Sequence, residues 1–331
     1  MSPVPRRTTL TLGLLAGVAA VSTASIFIKL AQQGGAPSLV IAAVRLTLAT
    51  FGLAPVVLTH HLPALRSLRR REWALALLSG LFLALHFAVW ITSLEYTSVA
   101  SSVVLVTTTS LWVALLSPLV LHERVKAATF VGLGLAMAGG AVVGLSDACT
   151  WQSGAITCPP LHTFFGGTAF LHDKTVSVGD FLALCGAWMA AGYMLVGRKL
   201  RAQMDLIPYI FIVYGMAALV LNVVMLVFGE NPLGYTPVVY LWLVLLALVP
   251  QLVGHSTFNW ALKHLPASFV SVTLLGEPIG STILAYFIFQ EQPGWVKIGG
   301  AVLILAGIWL TSRIERQKRS ATTDETVTAS L

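Results

Sequence analysis

Several residues able to do chemistry stand inside the apolar runs of this sequence rather than between them. Glu277 lies in the middle of the stretch Ala267–Glu291, and Pro278 follows at once. Near the centre of a membrane-spanning helix a carboxylate costs about 2.5–3.5 kcal/mol on insertion scales, so it is kept where it faces protein or water. The proline removes a helix hydrogen bond at the same point. Charge and broken backbone together point to a cavity at mid-membrane depth; a protonated glutamate bonded to a neighbouring helix is the plainer alternative. Glu277 is therefore the expected coupling residue, passing a proton from one side to the other or exchanging it for a substrate ammonium.

His86 and Trp90 are four apart and share one helix face, as do His255 and Asn259, with Trp260 beside them. Trp188, Tyr193, Thr107 and Thr273 add aromatic rings and hydroxyls. Aromatic walls with a few polar groups suit a zwitterion or an amphipathic metabolite. An ammonium would meet Glu277 or an aromatic face; a carboxylate would meet His86, His255 or a hydroxyl. Taken singly, each of these side chains also reads as a contact that only holds helices together, worth about 0.6 kcal/mol. Arg45, about two turns from its helix end, either snorkels outward or pairs with Glu95, a structural role before a substrate role. Glu123 and Glu291, at helix ends, read as caps or anchors.

These residues need elements to hold them. The chain has 331 residues, 56% hydrophobic and 10% charged, against about 25% charged in a soluble domain. The sequence predicts an all-α integral membrane protein with ten transmembrane helices, as two inverted five-helix repeats. The ten segments are Leu10–Leu30, Ser38–Leu58, Glu72–Leu94, Ser98–Leu121, Ala127–Leu145, Val178–Val196, Ile207–Phe228, Val238–Leu262, Ala267–Phe289 and Trp295–Thr311. With the N-terminus in the cytoplasm, 16 of the 20 Lys and Arg fall inside, among them Arg66, Arg69, Arg124, Arg198 and Arg316. That is a strong positive-inside pattern and puts both termini in the cytoplasm. Five helices is an odd number, so the halves must be inverted relative to each other, as in many secondary transporters. A shift of 168 residues lays Leu94–Leu145 on Leu262–Arg313 without a gap, Glu123 on Glu291, Gly132 on Gly300 and Gly139 on Gly307.

The expected organisation is residues 1–146 as the first repeat, 147–177 as an external loop, 178–313 as the second repeat and 314–331 as a disordered cytoplasmic tail. The loop carries Cys149 and Cys158, for which an oxidising exterior favours a disulfide over free thiols. His162 and His172 in the same loop have no third ligand at metal spacing, so no metal is expected. The glycines of segments 5 and 10 mean close helix packing rather than phosphate binding. The basic residues sit in short loops between apolar segments, which excludes a nucleic-acid partner.

Both halves resemble the EamA repeat of the drug/metabolite transporter superfamily. The first carries Leu94-Glu95-Tyr96-Thr97-Ser98, Ser117-Pro118 and His122-Glu123-Arg124, then Gly132 and Gly139. The second carries Leu262 to Ala267, Gly276-Glu277-Pro278 and Gln290-Glu291-Gln292, then Gly300 and Gly307. The long cysteine-bearing loop departs from the short connection usual in the family. The resemblance implies a non-enzymatic carrier of small metabolites in the cytoplasmic (inner) membrane, often an exporter, with amino acids, including aromatic ones, among the substrates of similar proteins. It implies a lipid-embedded monomer or weak homo-oligomer without a cofactor, with a small-molecule substrate and a proton as partners. The rival reading is a membrane electron carrier or enzyme with His86 and His255 as haem ligands; a scaffold or receptor without flux is a third.

Overall fold

The computed structural model describes residues 7–96, 102, 105–123, 125–146, 150–152, 155–157, 174–290 and 294–328. Within them nearly all of the chain is helical. The first repeat contains α1 (Arg7–Ser22), α2 (Ala24–Gln33), α3 (Ser38–Val56), α4 (Leu62–Arg66), α5 (Arg70–Tyr96), α6 (Thr109–Val120) and α7 (Ala127–Ser146). The second contains α8 (Lys174–Arg201), α9 (Leu206–Val227), α10 (Pro237–Leu246), α11 (Ser256–Ala261), α12 (Ala267–Leu274), α13 (Glu277–Phe289) and α14 (Trp295–Thr328). Wider π-helical turns, Val57–His61 and Ala247–His255, join α3 to α4 and α10 to α11. Pro55 and Pro250, which lack an N–H, stand at or just before these turns.

Among the described residues seven spans are long and apolar enough to cross a membrane, including Thr8–Gln33, Ser38–Arg66, Pro237–Ala261 and Ala267–Ile288. The remaining predicted segments are represented by shorter apolar helices, Leu105–Val120, Ala127–Val142 and Ile298–Thr311. The count of ten crossings therefore rests on those three. Two expectations change. The tail is not irregular: α14 continues to Thr328, because no glycine or proline follows Gly307 in it and Arg, Glu, Gln, Lys and Ala favour helix. The connection between the repeats contains a small hairpin, β1 (Thr150–Gln152) and β2 (Ala155–Thr157), with Thr150 opposite Thr157. Cys149 and Cys158, next in sequence to that pair, lie outside the described residues, as do His162, His172 and Glu291.

The 168-residue offset holds in three dimensions. Helix α3 starts at Ser38 and α9 at Leu206, its counterpart. The seam between α7 and α14 is tighter evidence. A Cβ on Gly132 would stand 3.0 Å from the Gly307 carbonyl oxygen, and a Cβ on Gly139 would stand 2.6 Å from that of Gly300. Rising numbers on α7 meet falling numbers on α14, so the two helices are antiparallel. Each contact is also the image of the other under the offset. A self-complementary contact of this kind is the mark of a two-fold relation, and here it relates the two repeats as an inverted pair. The halves also interlock, since α8 packs along α5 while α1 packs along the π-turn of α10–α11 and on α11. One continuous core of buried Val, Leu, Ile, Phe and Tyr side chains runs through α1, α3, α5, α8 and α9.

Candidate functional site

The two repeats are broken at corresponding points. Helix α6 begins at Thr109 after a turn at Thr108, and α13 begins at Glu277 after a turn at Leu275–Gly276. Thr109 and Glu277 are counterparts under the 168-residue offset. Pro278 occupies the second position of α13, where its missing N–H would have had no partner in any case. Neighbouring helices supply hydroxyls to the freed carbonyls. Ser110 Oγ donates to the Ser271 carbonyl at 2.8 Å, and Ser22 Oγ, which donates to the Val18 carbonyl at 2.7 Å, also lies 3.2 Å from the Glu277 carbonyl. Irregular backbone at membrane depth is tolerated where it is covered in this way.

Glu277 thus stands in the first turn of a half-helix, where the N–H groups and the helix dipole favour negative charge. It is half-buried, and among the described residues its carboxylate accepts no hydrogen bond. Thr109, its counterpart, is satisfied locally: its hydroxyl donates to Val106 at 2.7 Å and reaches the Ala187 carbonyl at 3.3 Å. The scaffold repeats and the carboxylate does not.

A second group of residues surrounds Phe87 of α5. The Arg45 guanidinium of α3 lies over the ring, 4.5 Å from its centroid, and His255 meets the ring edge-on at 5.5 Å. Arg45 Nε donates to Gln251 Oε1 at 2.8 Å. Arg45 neither snorkels nor pairs with Glu95. It is 1% exposed, whereas Glu95 is exposed at the end of α5. Its partner is set by the π-turn of α10–α11, which turns Gln251 inward, a geometry that residue spacing on a regular helix does not reveal. Tyr214 of α9 completes the group, with its hydroxyl 3.1 Å from Ser256 Oγ.

His86 stacks on Trp90 with centroids 5.7 Å apart, and its Nδ1 donates to the Gly186 carbonyl at 2.9 Å. A carbonyl can only accept, so Nδ1 carries the proton and Nε2 of the neutral ring is an acceptor. Trp90 Nε1 is buried without a partner. Tyr193 and Asn259 bond each other, Asn259 Nδ2 donating to the phenolic oxygen at 2.6 Å. His86, His255, Trp90, Tyr193 and Asn259 are thereby gathered around the α5–α8–α11 junction. Four other predicted residues fall elsewhere. Trp260 packs over Gly13 of α1 and edge-on against His264. Thr273 donates to Val270 within its own helix. Trp188 is 37% exposed and edge-on to Trp112. Thr107 precedes the break in the α6 segment, near Gly140. Phe87 contacts both histidines, its ring 5.0 Å from that of His86 and 5.5 Å from that of His255.

One end of the bundle is closed by ions. Arg198 Nε meets Glu123 Oε1 at 2.6 Å, Arg201 Nε donates to the Asn259 carbonyl at 3.0 Å, and Lys263 meets Asp205 at 3.3 Å. Glu123 also accepts the Ala267 N–H at 3.4 Å, capping α12 from the other repeat.

A largely helical scaffold with broken helices at matching points, enclosing isolated polar groups, is the architecture of secondary transporters. The EamA-like transporter family matches this chain twice, over residues 8–145 and 177–313, and the chain belongs to that family. It is a multi-pass membrane transporter of small molecules. An uncharacterized transporter of Archaeoglobus fulgidus is 21% identical to it over 248 residues, 74% of this chain and 78% of that protein. A crystal structure of another protein, 18% identical, shares the fold with a TM-score of 0.72, covering 94% of this chain and 99% of that one.

Proposed function

We propose that the protein is a secondary carrier that exports small metabolites, amino acids and aromatic ones among them, across the inner membrane by alternating access. The paired break at Thr109 and Glu277 carries this reading. In inverted-repeat carriers, interrupted helices at corresponding positions mark the substrate site. Here one of the two breaks bears a half-buried carboxylate with no hydrogen-bond donor on it among the described residues. Glu277 is the coupling residue: it takes a proton from one side and releases it to the other, or exchanges it for a substrate ammonium. His86, with an acceptor Nε2, and the rings of Trp90, Tyr193 and Phe87 line the path between the repeats. Both termini lie in the cytoplasm, as the Lys and Arg distribution requires.

The test is transport by the purified full chain in proteoliposomes under an imposed pH gradient. The compounds tried come from comparing metabolites exported by deletion and overexpression strains. Glu277→Gln keeps the shape and removes the titrating group. The folded variant is expected to lose gradient-driven transport and to keep substrate counterflow. A wild-type pH response in that variant would return Glu277 to a helix contact.

A further inference from the structure

We propose that Arg45 and Gln251 form a carboxylate-binding subsite, so that the transported compounds carry a carboxylate at one end. The inference rests on the transport reading above and adds the substrate class.

Arg45 and Gln251 are 1% and 0% exposed, and they hold each other through one bond, Nε to Oε1 at 2.8 Å. That bond uses the only acceptor in the pair. What remains is donors: Arg45 Nη2 and Gln251 Nε2 are both buried and neither has a partner among the described residues. A buried N–H group without an acceptor is costly, and an unpaired guanidinium inside a membrane protein more so. The described ion pairs use other residues, so among the described residues no carboxylate lies within 4 Å of Arg45. Phe87 supports the guanidinium from one face, which fixes its plane. A fixed guanidinium beside an amide N–H matches the two oxygens of a carboxylate.

The fold does not require this pair. Under the 168-residue offset the counterparts of Arg45 and Gln251 are Val213 and Leu83. Both are fully buried, and Val213 takes part in the close α5–α9 approach at Gly80. The two positions that correspond to this pair are thus aliphatic, while the polar contact of that interface lies elsewhere, between Ser79 Oγ and the Tyr209 hydroxyl at 2.8 Å. A structural need would apply to both interfaces; a ligand need applies to one. Glu277 likewise departs from the repeat, standing against Thr109. Among the described residues it forms no ion pair with Arg45. These two charges, one from each repeat, suit the two ends of a zwitterion. The free donors are closed to solvent in this conformation, so a ligand reaches them when the π-turn carrying Gln251 moves.

The experiment measures ligand-dependent thermal stabilisation of the full chain in detergent with three probes of one shape. They are phenylalanine, 3-phenylpropionate, which lacks the ammonium, and phenethylamine, which lacks the carboxylate. Sodium chloride against sodium methanesulfonate is a fourth arm. Wild type should bind both carboxylates, and phenethylamine roughly tenfold or more weakly, the loss of a charge-assisted bond. Gln251→Glu places a resident carboxylate on Arg45. It should fold at least as stably as wild type and lose the carboxylate probes by a similar factor. Arg45→Gln should lose the same preference.

Unchanged carboxylate binding in folded Gln251→Glu would overturn the subsite and leave the transport reading standing. So would equal binding of phenethylamine in wild type, or an Arg45-dependent chloride effect without carboxylate competition, which would make the site one for a resident ion. A wild type that neither binds a probe nor moves any metabolite in proteoliposomes would overturn both.

Discussion

Arg198 of α8 donates to Glu123 at the end of α6 over 2.6 Å, joining one repeat to the other. The same guanidinium donates through Nη1 to the Leu262 carbonyl at 2.6 Å, and the second carboxylate oxygen takes the Ala267 N–H at 3.4 Å. A partly exposed pair alone is worth about 0–1 kcal/mol. The bonds to Leu262 and Ala267 make it a latch that fixes the start of α12, the helix leading into the break at Gly276.

Removing Glu123 therefore costs a cap as well as an ion pair. Glu123→Ala should destabilise by about 1–2 kcal/mol, more than an exposed ion pair accounts for. Raising the salt concentration should reduce the part shared with Arg198→Ala and leave the capping part. A double-mutant cycle by chemical unfolding in detergent at two salt concentrations reads both. A coupling of zero would remove the latch.

The α7–α14 seam predicts opposite outcomes at two glycines on one helix. Gly139→Leu would drive a side chain into the Gly300 backbone, where even a Cβ stands 2.6 Å from the carbonyl. Overpacking of this kind costs about 1–3 kcal/mol. Gly134 faces open space, so Gly134→Ala should be neutral or raise stability by up to about 1 kcal/mol. Thermal unfolding of the two variants side by side decides; equal midpoints would mean the helices do not approach closely.

The hairpin between the repeats predicts a bond outside the described residues. Thr150 is opposite Thr157, and the residues flanking that pair in sequence are Cys149 and Cys158. In an oxidising exterior the two should resist alkylation until reduced, while Cys185, a free thiol in α8, stays unpaired. Mass spectrometry after blocking intact protein reads this directly. Two labelled loop cysteines without reductant would refute the disulfide.

Glu230, beyond the end of α9, supplies a pH dependence. Burial first, and the nearby Glu95 second, raise its carboxyl above the usual range, while a bond from the Val40 backbone opposes them. A raised carboxyl favours the folded state while protonated, and that contribution is lost as pH rises through its folded value. Glu230→Gln stays neutral throughout. It should match wild type near pH 4, about the ordinary value for a glutamate, and be the more stable of the two at neutral pH. Thermal unfolding across that range tests the sign; a variant less stable at neutral pH would contradict it.

Much of this architecture is legible in the residues. Apolar runs of spanning length give the segments, and the offset repeat with an odd helix number gives the inversion that Gly132 and Gly307 then display. Glu277-Pro278 marks its break because a charge and a missing N–H coincide there. The break before Thr109 carries neither signal and is found only through its counterpart. Side-chain direction is the part that spacing does not give. Trp260 is next to Asn259 yet turns to Gly13, and Arg45 meets Gln251 because the helix between Ala247 and His255 is wider than an α-helix. A local change of helical pitch shifts every later residue around the axis, and no hydrophobic period records it.

The glycine seam has a consequence for assembly. The seam cannot distinguish its own partner from the same helix of a second copy: α14 of a neighbouring molecule offers α7 the same ridge that its own α14 offers. What selects the internal partner is tethering. Residues 147–177 and the helices that follow tie α14 to α7 in one chain, which makes the closing contact intramolecular. Covalent continuity, more than any feature of the glycine faces, decides which copy closes the seam.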